Sequence, residues 1–340
     1  MDPCVHYLCT ARHTYTLGIF AAFYAAGIAP RIRILTYRRL PAIRSFGPGP
    51  FIFSDLDRLN ASYRHGQAEL ADWLVDKGGT VLNHPARVLL RFPLLRTLHE
   101  RGINRFNVYR VSEWQRVRRF PVFLRAENVH GQALSGLLHD RAALQRALSE
   151  FSGQAGALDT LMIVEFGNVP GSDGKYRKYA AFRVGGTIYA QHCYASADWW
   201  VRFESSATTP AEWAEHDAYA RNNPHRAQLE PIFALAGIDY GRIDYAVIDD
   251  QVQVFEINTN PTIIHAGSHR LINVEPYALA HRQALTQLLD GFTGPKAIAN
   301  PVASADVAAA TPDELHEKVL AFTRKHWGAR THHEQPQIKT

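Results

Sequence analysis

Two carboxylates in the stretch Tyr240–Pro261, YGRIDYAVIDDQVQVFEINTNP, are spaced so that they could hold a cation. Asp244 opens one apolar run and Glu256 lies near the end of the next. Ile243–Ile248 and Val252–Ile257 are rich in β-branched residues and flank Asp249-Asp250-Gln251, the pattern of two strands and a tight turn. With all three flanking residues in the loop, Ile248 pairs with Val252, Ala246 with Val254 and Asp244 with Glu256. Side chains alternate, so Asp244, Ala246, Ile248, Val252, Val254 and Glu256 share a face that Asn258 continues. Like charges placed opposite each other destabilise a sheet, and burying them costs more. A divalent cation offsets both costs. Oxygen-only donors suit Mg²⁺ or Mn²⁺, and Mg²⁺ usually shares its shell with substrate phosphates. The chemistry indicated is a metal–nucleotide site, and in the metal-free protein the loss of one acid should relieve repulsion. Two other arrangements fit the same residues: a different loop length puts the acids on opposite faces, and an ordinary surface hairpin can end in an Asn-Pro turn.

Gly241-Arg242-Ile243-Asp244 followed by Phe255-Glu256-Ile257-Asn258-Thr259-Asn260-Pro261 resembles the C-terminal signature of the ATP-grasp superfamily, nearest its D-alanine–D-alanine ligase branch. The resemblance implies two Mg²⁺ (or Mn²⁺) ions on Asp244, Glu256 and Asn258, bridging the phosphates of ATP. It implies that Arg242 faces a reacting acyl phosphate. It also implies a fold: an N-terminal parallel α/β domain followed by two α+β lobes. One departure concerns the substrate. Thr262 follows Pro261 where the D-alanine ligase pattern has a glycine, which argues for a substrate other than D-alanine.

Several elements must then bring the remaining groups to the acids. Residues 1–85 alternate strand and helix, as in a parallel sheet: strands at Val5–Cys9, Arg31–Tyr37, Phe51–Phe53 and Thr80–Leu82, and a helix over Ser62–Lys77 stopped by Gly78-Gly79. In the family this domain shapes the acceptor-substrate side. Residues 86–158 resemble the small lobe, with a helix from Arg91 and the strand FPVFLR ending at Arg125. By resemblance both arginines stand where the family has phosphate-binding lysines, and a guanidinium can hold phosphate oxygens in bidentate fashion. Gly131, in ENVHGQALSG, falls at the family's glycine-rich lid, where His130 is an exposed loop residue or a phosphate contact. Residues 159–291 resemble the large lobe. The strand Leu161–Phe166 reaches the adenine hinge, where Glu165 would take the adenine amino group and Phe166 would supply backbone contacts. Tyr176–Val184 and Thr187–Tyr194 flank Gly185-Gly186 as a hairpin that offers Lys178 and Arg183 to ATP. Residues 292–340 read as an Ala/Pro/Ser-rich linker, a helix opened by the capping box at Thr311, and a polar tail carrying His332-His333.

Composition bounds the rest. At 340 residues, with 46% hydrophobic and 20% charged, the chain is globular and long enough for two or three lobes. Thr16–Ala29 is too short to span a bilayer. It reads as the helix of a strand–helix–strand unit rather than as a secretory signal. Three cysteines without ligand or disulfide spacing suit a reducing cytoplasm. The +5 charge comes with seven lysines and 30 arginines. These are scattered rather than gathered or interleaved with aromatics, so no nucleic-acid partner is expected. The expected partners are ATP, a carboxylate and an amine, with a homodimer left open. The expected function is ATP-dependent carboxylate–amine ligation through an acyl phosphate. The alternatives are a kinase acting on a hydroxyl and a nucleotide-binding module without turnover.

Overall fold

The computed structural model describes residues 2–129, 131–151, 160–202, 209–264 and 275–332. The His130 and His332-His333 readings lie outside the described side chains.

The chain opens with a parallel sheet. Strands β1 (Val5–Cys9), β2 (Ile32–Thr36), β3 (Ser45–Phe46), β4 (Phe51–Phe53) and β5 (Val81–Leu82) follow one another along the chain. Four of them form one sheet in the order β2-β1-β4-β5. Helix α1 (Tyr15–Phe23) makes the crossover from β1 to β2, and α2 (Ala61–Asp76) makes that from β4 to β5. Nearly continuous Val/Ile/Leu/Phe runs are what a sheet covered on both faces requires. Asn60 caps α2 through its side chain, which accepts from the Tyr63 amide.

The next layer is small. Helix α3 (Arg91–Glu100) precedes β6 (Val108–Arg110) and β7 (Val122–Ala126). Helix α4 (Arg141–Phe151) then leads to β8 (Leu161–Glu165). These strands pair antiparallel in the order β6-β8-β7.

The third layer is the sheet β10-β9-β11-β12, formed by β9 (Tyr176–Val184), β10 (Thr187–Ser196), β11 (Tyr240–Ile248) and β12 (Gln251–Asn258). Helices α5 (Pro210–Asn222) and α6 (Arg226–Ala236) lie between its two hairpins in sequence, and α7 (Glu275–Asp290) follows. One face of β11 and β12 buries Ile243, Tyr245, Val252 and Val254 against Leu229, Ile232 and Phe233 of α6. Asn83 fastens this layer to the first. It is fully buried and held at φ 58°; its amide nitrogen donates to the carbonyls of Phe53 (3.1 Å) and Tyr240 (2.6 Å), while its oxygen accepts from the amides of Asp239 and Tyr240.

The stretch after Phe292, read as a linker, is packed instead. It carries a short strand, β13 (Ile298–Ala299), which pairs antiparallel with β3. Asn300 donates to the carbonyls of Leu40 and Ile43, both at 2.8 Å. Helix α8 (Pro312–His332) then returns to the N-terminal sheet. Leu320 joins the cluster around Val5 and Ile34, and the Ile34 amide donates to His316 Nδ1 at 3.1 Å. No helix among the described residues is long and apolar enough to cross a membrane.

Burial holds two histidines of this scaffold neutral. It lowers His6, which approaches the Gly47 carbonyl at 3.1 Å, to about 4, and His281, beside the Tyr189 hydroxyl at 2.7 Å, to about 3. Both lie below the unfolded value near 6.5, so their contribution is complete above pH 6.5 and is lost as pH falls towards 4. The expected result is a melting temperature that declines steadily over that window, with His6 alone contributing roughly 3 kcal/mol. A melting temperature that stays flat from pH 6.5 to 4.5 would show that the histidines accept protons in place.

Candidate active site

Asp244 and Glu256 do face each other across β11 and β12, but through a different route from the one the alternation suggested. The turn has two residues, Asp249 and Asp250, both at positive φ (48° and 58°), and Gln251 already pairs with Ile248. Such a turn matches the twist of the flanking strands. Its register would leave the two acids on opposite faces. A bulge at Phe255 inserts one residue and brings Glu256 opposite Asp244. The expected six-residue face is corrected accordingly: Val252 and Val254 turn into the core, and Asp244 and Glu256 line a cavity with Arg242 and Asn258. Gly241 permits the close approach of the two strands here, since a Cβ on it would lie 2.7 Å from the Asn258 carbonyl oxygen.

The repulsion expected between the two acids is also corrected, because each is paired with a cation. Glu256 Oε2 accepts from Arg91 and, at 3.2 Å, from Arg125. Asp244 accepts from Arg242 Nε at 2.8 Å and lies 3.8 Å from Lys178 Nζ. Four cationic side chains thus surround two carboxylates, leaving the group positive and suited to a polyanion. Burial, and then the like charge of Arg91, pull Arg125 down to about 10. Burial also pulls on Arg242, but the adjacent Asp244 outweighs it and the net shift is upward.

The cavity, of about 420 Å³, lies between the two antiparallel sheets. Lys178, His192 and Tyr194 share its floor with the acids, and Gly131 and Gln132 lie at its edge. One wall is aromatic: Phe123 meets Trp199 at 5.2 Å and Trp200 at 5.8 Å, Phe166 meets Trp199 edge-on at 5.6 Å, and the Arg125 guanidinium lies 5.6 Å from the Trp200 ring.

A polyanion site between two antiparallel sheets, behind a parallel α/β domain, invites comparison with solved structures. The ATP-grasp ligase PsnB, solved with a minimal precursor, superposes with TM-score 0.52 at 11% identity, over 85% of this chain and 99% of that one. The chain has the ATP-grasp fold. The macrocyclase MdnC of Microcystis aeruginosa MRC, bound with precursor peptide MdnA, gives TM-score 0.48 at 12% identity over 84% of this chain and 99% of its own. D-alanine–D-alanine ligase from Helicobacter pylori gives 0.46 at 11% over 86% and 100%. No protein-family model matches the chain, and no curated protein matches it.

On the ATP-grasp frame, the residues singled out from sequence fall into two groups. Arg125, Gly131, Glu165, Phe166, Lys178, Arg242, Asp244, Glu256 and Asn258 all line the cavity. Arg91 and Arg183 are not among its lining residues. Arg91 Nη1 donates to the carbonyls of Ala126 (3.2 Å), Glu127 (2.7 Å) and Val129 (3.0 Å), while Nη2 reaches Glu256. This guanidinium ties the segment after β7 to β12. Arg183 pairs with Asp239 at 3.2 Å. Glu165 accepts from the Asn107 amide and the Tyr109 hydroxyl, both at 2.9 Å. The Phe166 amide donates to the Pro121 carbonyl at 2.9 Å, so a further main-chain contact there falls to its carbonyl.

The aromatic wall and the stacked His192–Tyr194 pair, with ring centroids 4.0 Å apart, were missed from sequence. The Trp199-Trp200 doublet at the end of β10 was the available signal. Asn260 was missed too. Its amide donates to Asn258 Oδ1 at 2.8 Å, and its side chain accepts from Tyr7 and Thr16 and donates to the His13 carbonyl at 3.3 Å. The site is thereby joined to the N-terminal sheet.

The side chains fit a divalent cation. Asp244, Glu256 and Asn258 present only hard oxygen donors from facing strands. Among the described residues no cluster of three or more His, Cys, Asp or Glu is placed to hold a metal ion.

The phosphate contact that the sequence resemblance implies for Arg125 can be tested directly. Arg125→Ala should weaken ATP binding about tenfold or more, the loss of a charge-assisted contact, and Arg125→Lys should recover most of it. Unchanged nucleotide affinity in Arg125→Ala, measured by calorimetry, would remove β7 from the phosphate site.

Proposed function

We propose that the chain is an ATP-dependent carboxylate–amine ligase working through an acyl phosphate. The observation that carries this reading is the Asp244–Glu256 pair, set among Arg125, Arg242 and Lys178 on the floor of a cavity in an ATP-grasp fold. In this reading Asp244, Glu256 and Asn258 hold Mg²⁺ or Mn²⁺, two ions in the family pattern, and Arg125 and Lys178 hold phosphate oxygens. The metal supplies charge neutralisation for the transferring phosphoryl group. The adenine lies against the aromatic wall, with Glu165 and Phe166 at the hinge and Gly131 in the covering loop. Arg91 positions Glu256 and the segment after β7.

The reaction moves the γ-phosphoryl group of ATP to a carboxylate. An amine then attacks the acyl carbon, the C–O bond to phosphate breaks, and an amide, ADP and phosphate result. In this reading Arg242 meets the charge that develops on the acyl oxygen, where fixed donors act most strongly. The chemistry needs no nucleophile on the protein. PsnB is an ATP-grasp ligase; at 11% identity it bears on the fold and not on this chain's substrate.

Two measurements test the reading. ATP should bind with Mg²⁺ or Mn²⁺ and lose affinity at least tenfold in EDTA, because the cation would supply oxygen contacts to the phosphates that the side chains alone do not. Equal affinity in EDTA by calorimetry would sink the metal–nucleotide site. With a panel of amino acids and small carboxylates, Mg²⁺–ATP and hydroxylamine should give ADP and a hydroxamate. ADP with a phosphorylated hydroxyl product and no hydroxamate would make the chain a kinase.

A further inference from the structure

The register of the N-terminal sheet brings basic side chains to one edge of it. Cys9 of β1 lies beside Thr36 of β2, and Leu8 lies beside Phe53 of β4, so the three strands end together. Arg12 follows the end of β1, Arg38 and Arg39 follow β2, and Arg58 follows β4. The order β2-β1-β4 means that the connections from β1 and β4 leave to opposite sides. That is the switch point at which open parallel sheets bind ligands, outside the carboxyl ends of the strands.

This edge is built rather than merely basic. Asp55 is fully buried and lies at φ 56°, a conformation that Asp tolerates better than most residues. Its carboxylate accepts from the Thr10 amide (2.9 Å), the Thr10 hydroxyl (2.7 Å) and Arg58 Nε (3.0 Å). Arg58 is thus anchored through Nε. His13 Nδ1 lies 2.8 Å from the Thr10 hydroxyl and 3.8 Å from Asp55. Tyr63 packs edge-on against Tyr37, which sets the first turn of α2 beside the Arg38-Arg39 turn.

Charge compensation divides the arginines of this domain. Arg31 and Arg33, on the other side of β2, pair with Asp290 and Asp313, and Arg44 is bound to the carbonyls of Ser304 and Val307. Arg12, Arg38 and Arg39 are exposed and meet no carboxylate within 4.0 Å among the described residues. The edge also adjoins the acid pair. The Leu56 amide meets the Thr259 hydroxyl at 3.4 Å, and Asn260 joins the His13 carbonyl to Asn258.

We propose that this edge recognises an anionic group, carboxylate or phosphate, on the substrate other than ATP. The substrate class is a small molecule that carries negative charge beyond its reacting group. The inference rests on the ligase reading only in taking a second substrate to enter beside Asn258.

The test is binding, with and without Mg²⁺ and a non-hydrolysable ATP analogue. The probes are citrate, L-glutamate, L-aspartate and O-phospho-L-serine, with L-alanine and L-lysine as controls. At least one acidic probe should raise the melting temperature and bind about tenfold more tightly than both controls. In the Arg38→Ser/Arg39→Ser double variant that affinity should fall by about tenfold, as expected for lost charge-assisted contacts, while ATP affinity stays within twofold. Preference for phosphoserine over glutamate would identify phosphate as the group read; the reverse would identify carboxylate. Acidic probes that bind no better than alanine and lysine would overturn the proposal, as would a double variant that binds them unchanged. Tight binding of a single-stranded oligonucleotide with no response to small anions would also overturn it and reassign the edge. If ATP fails to bind while the anions still do, the ligase reading falls and this one stands.

Discussion

Glu256→Gln is expected to lower both stability and turnover, by different routes. In the ligand-free protein Glu256 is the counter-charge of two buried guanidiniums, Arg91 and Arg125. The amide keeps the shape and loses the charge. Removing one member of a buried ion pair costs several kcal/mol, because the other is left uncompensated; here about 3 kcal/mol and a drop of several degrees in melting temperature are expected. This reverses the simple argument from repulsion between the two acids. If Glu256 holds the cation as proposed, turnover, read as ADP release, should fall on the order of 10³-fold. The stabilisation of the parent by Mg²⁺–ATP should shrink in the variant. If the variant melts like the parent in EDTA and keeps the full Mg²⁺–ATP shift, Glu256 is not part of the site.

The second large effect is expected for Arg242→Ala. Arg242 is held by Asp244 at 2.8 Å beside the cavity, and its charge is secured against burial by that carboxylate. If it meets the oxyanion of the acyl-transfer step, its loss should cut turnover on the order of 10²- to 10³-fold. ATP affinity should change only a few-fold, because Lys178 and Arg125 remain. Arg242→Lys should restore part of the rate, since the charge returns without the planar fork. A purely structural role predicts the opposite pattern: lower stability through the buried charge of Asp244 left without its nearest partner, with the turnover of the folded fraction unchanged.

Much of this arrangement was legible in the sequence, for local reasons. Val5–Cys9, Phe51–Phe53 and Tyr176–Val184 are short patterns with clear stops, and each appears where the pattern placed it. The facing of Asp244 and Glu256 was legible for an incomplete reason. A period of two cannot reveal an inserted residue, so the two-residue turn and the Phe255 bulge were read together as one longer loop. What could not be read was non-local. Arg91 and Arg125 reach Glu256 across 165 and 131 residues, and neither pairing leaves a trace in spacing. β6 has three residues and β13 two, too few for alternation to register. The Ala/Pro/Ser composition around β13 hid it within an apparent linker.

The return of α8 to the N-terminal sheet fixes the order in which the molecule can be completed. Strands β1 and β2 are made long before α8, yet the imidazole that accepts from the Ile34 amide belongs to residue 316 and a side chain of the cluster around Val5 belongs to residue 320. Both antiparallel sheets of the ATP-grasp lobes lie between. The parallel sheet is therefore closed by residues 282 positions further along the chain than the strand they cover. Until those residues exist, the sheet presents an uncovered apolar layer, at the stage when such surfaces are most prone to aggregation.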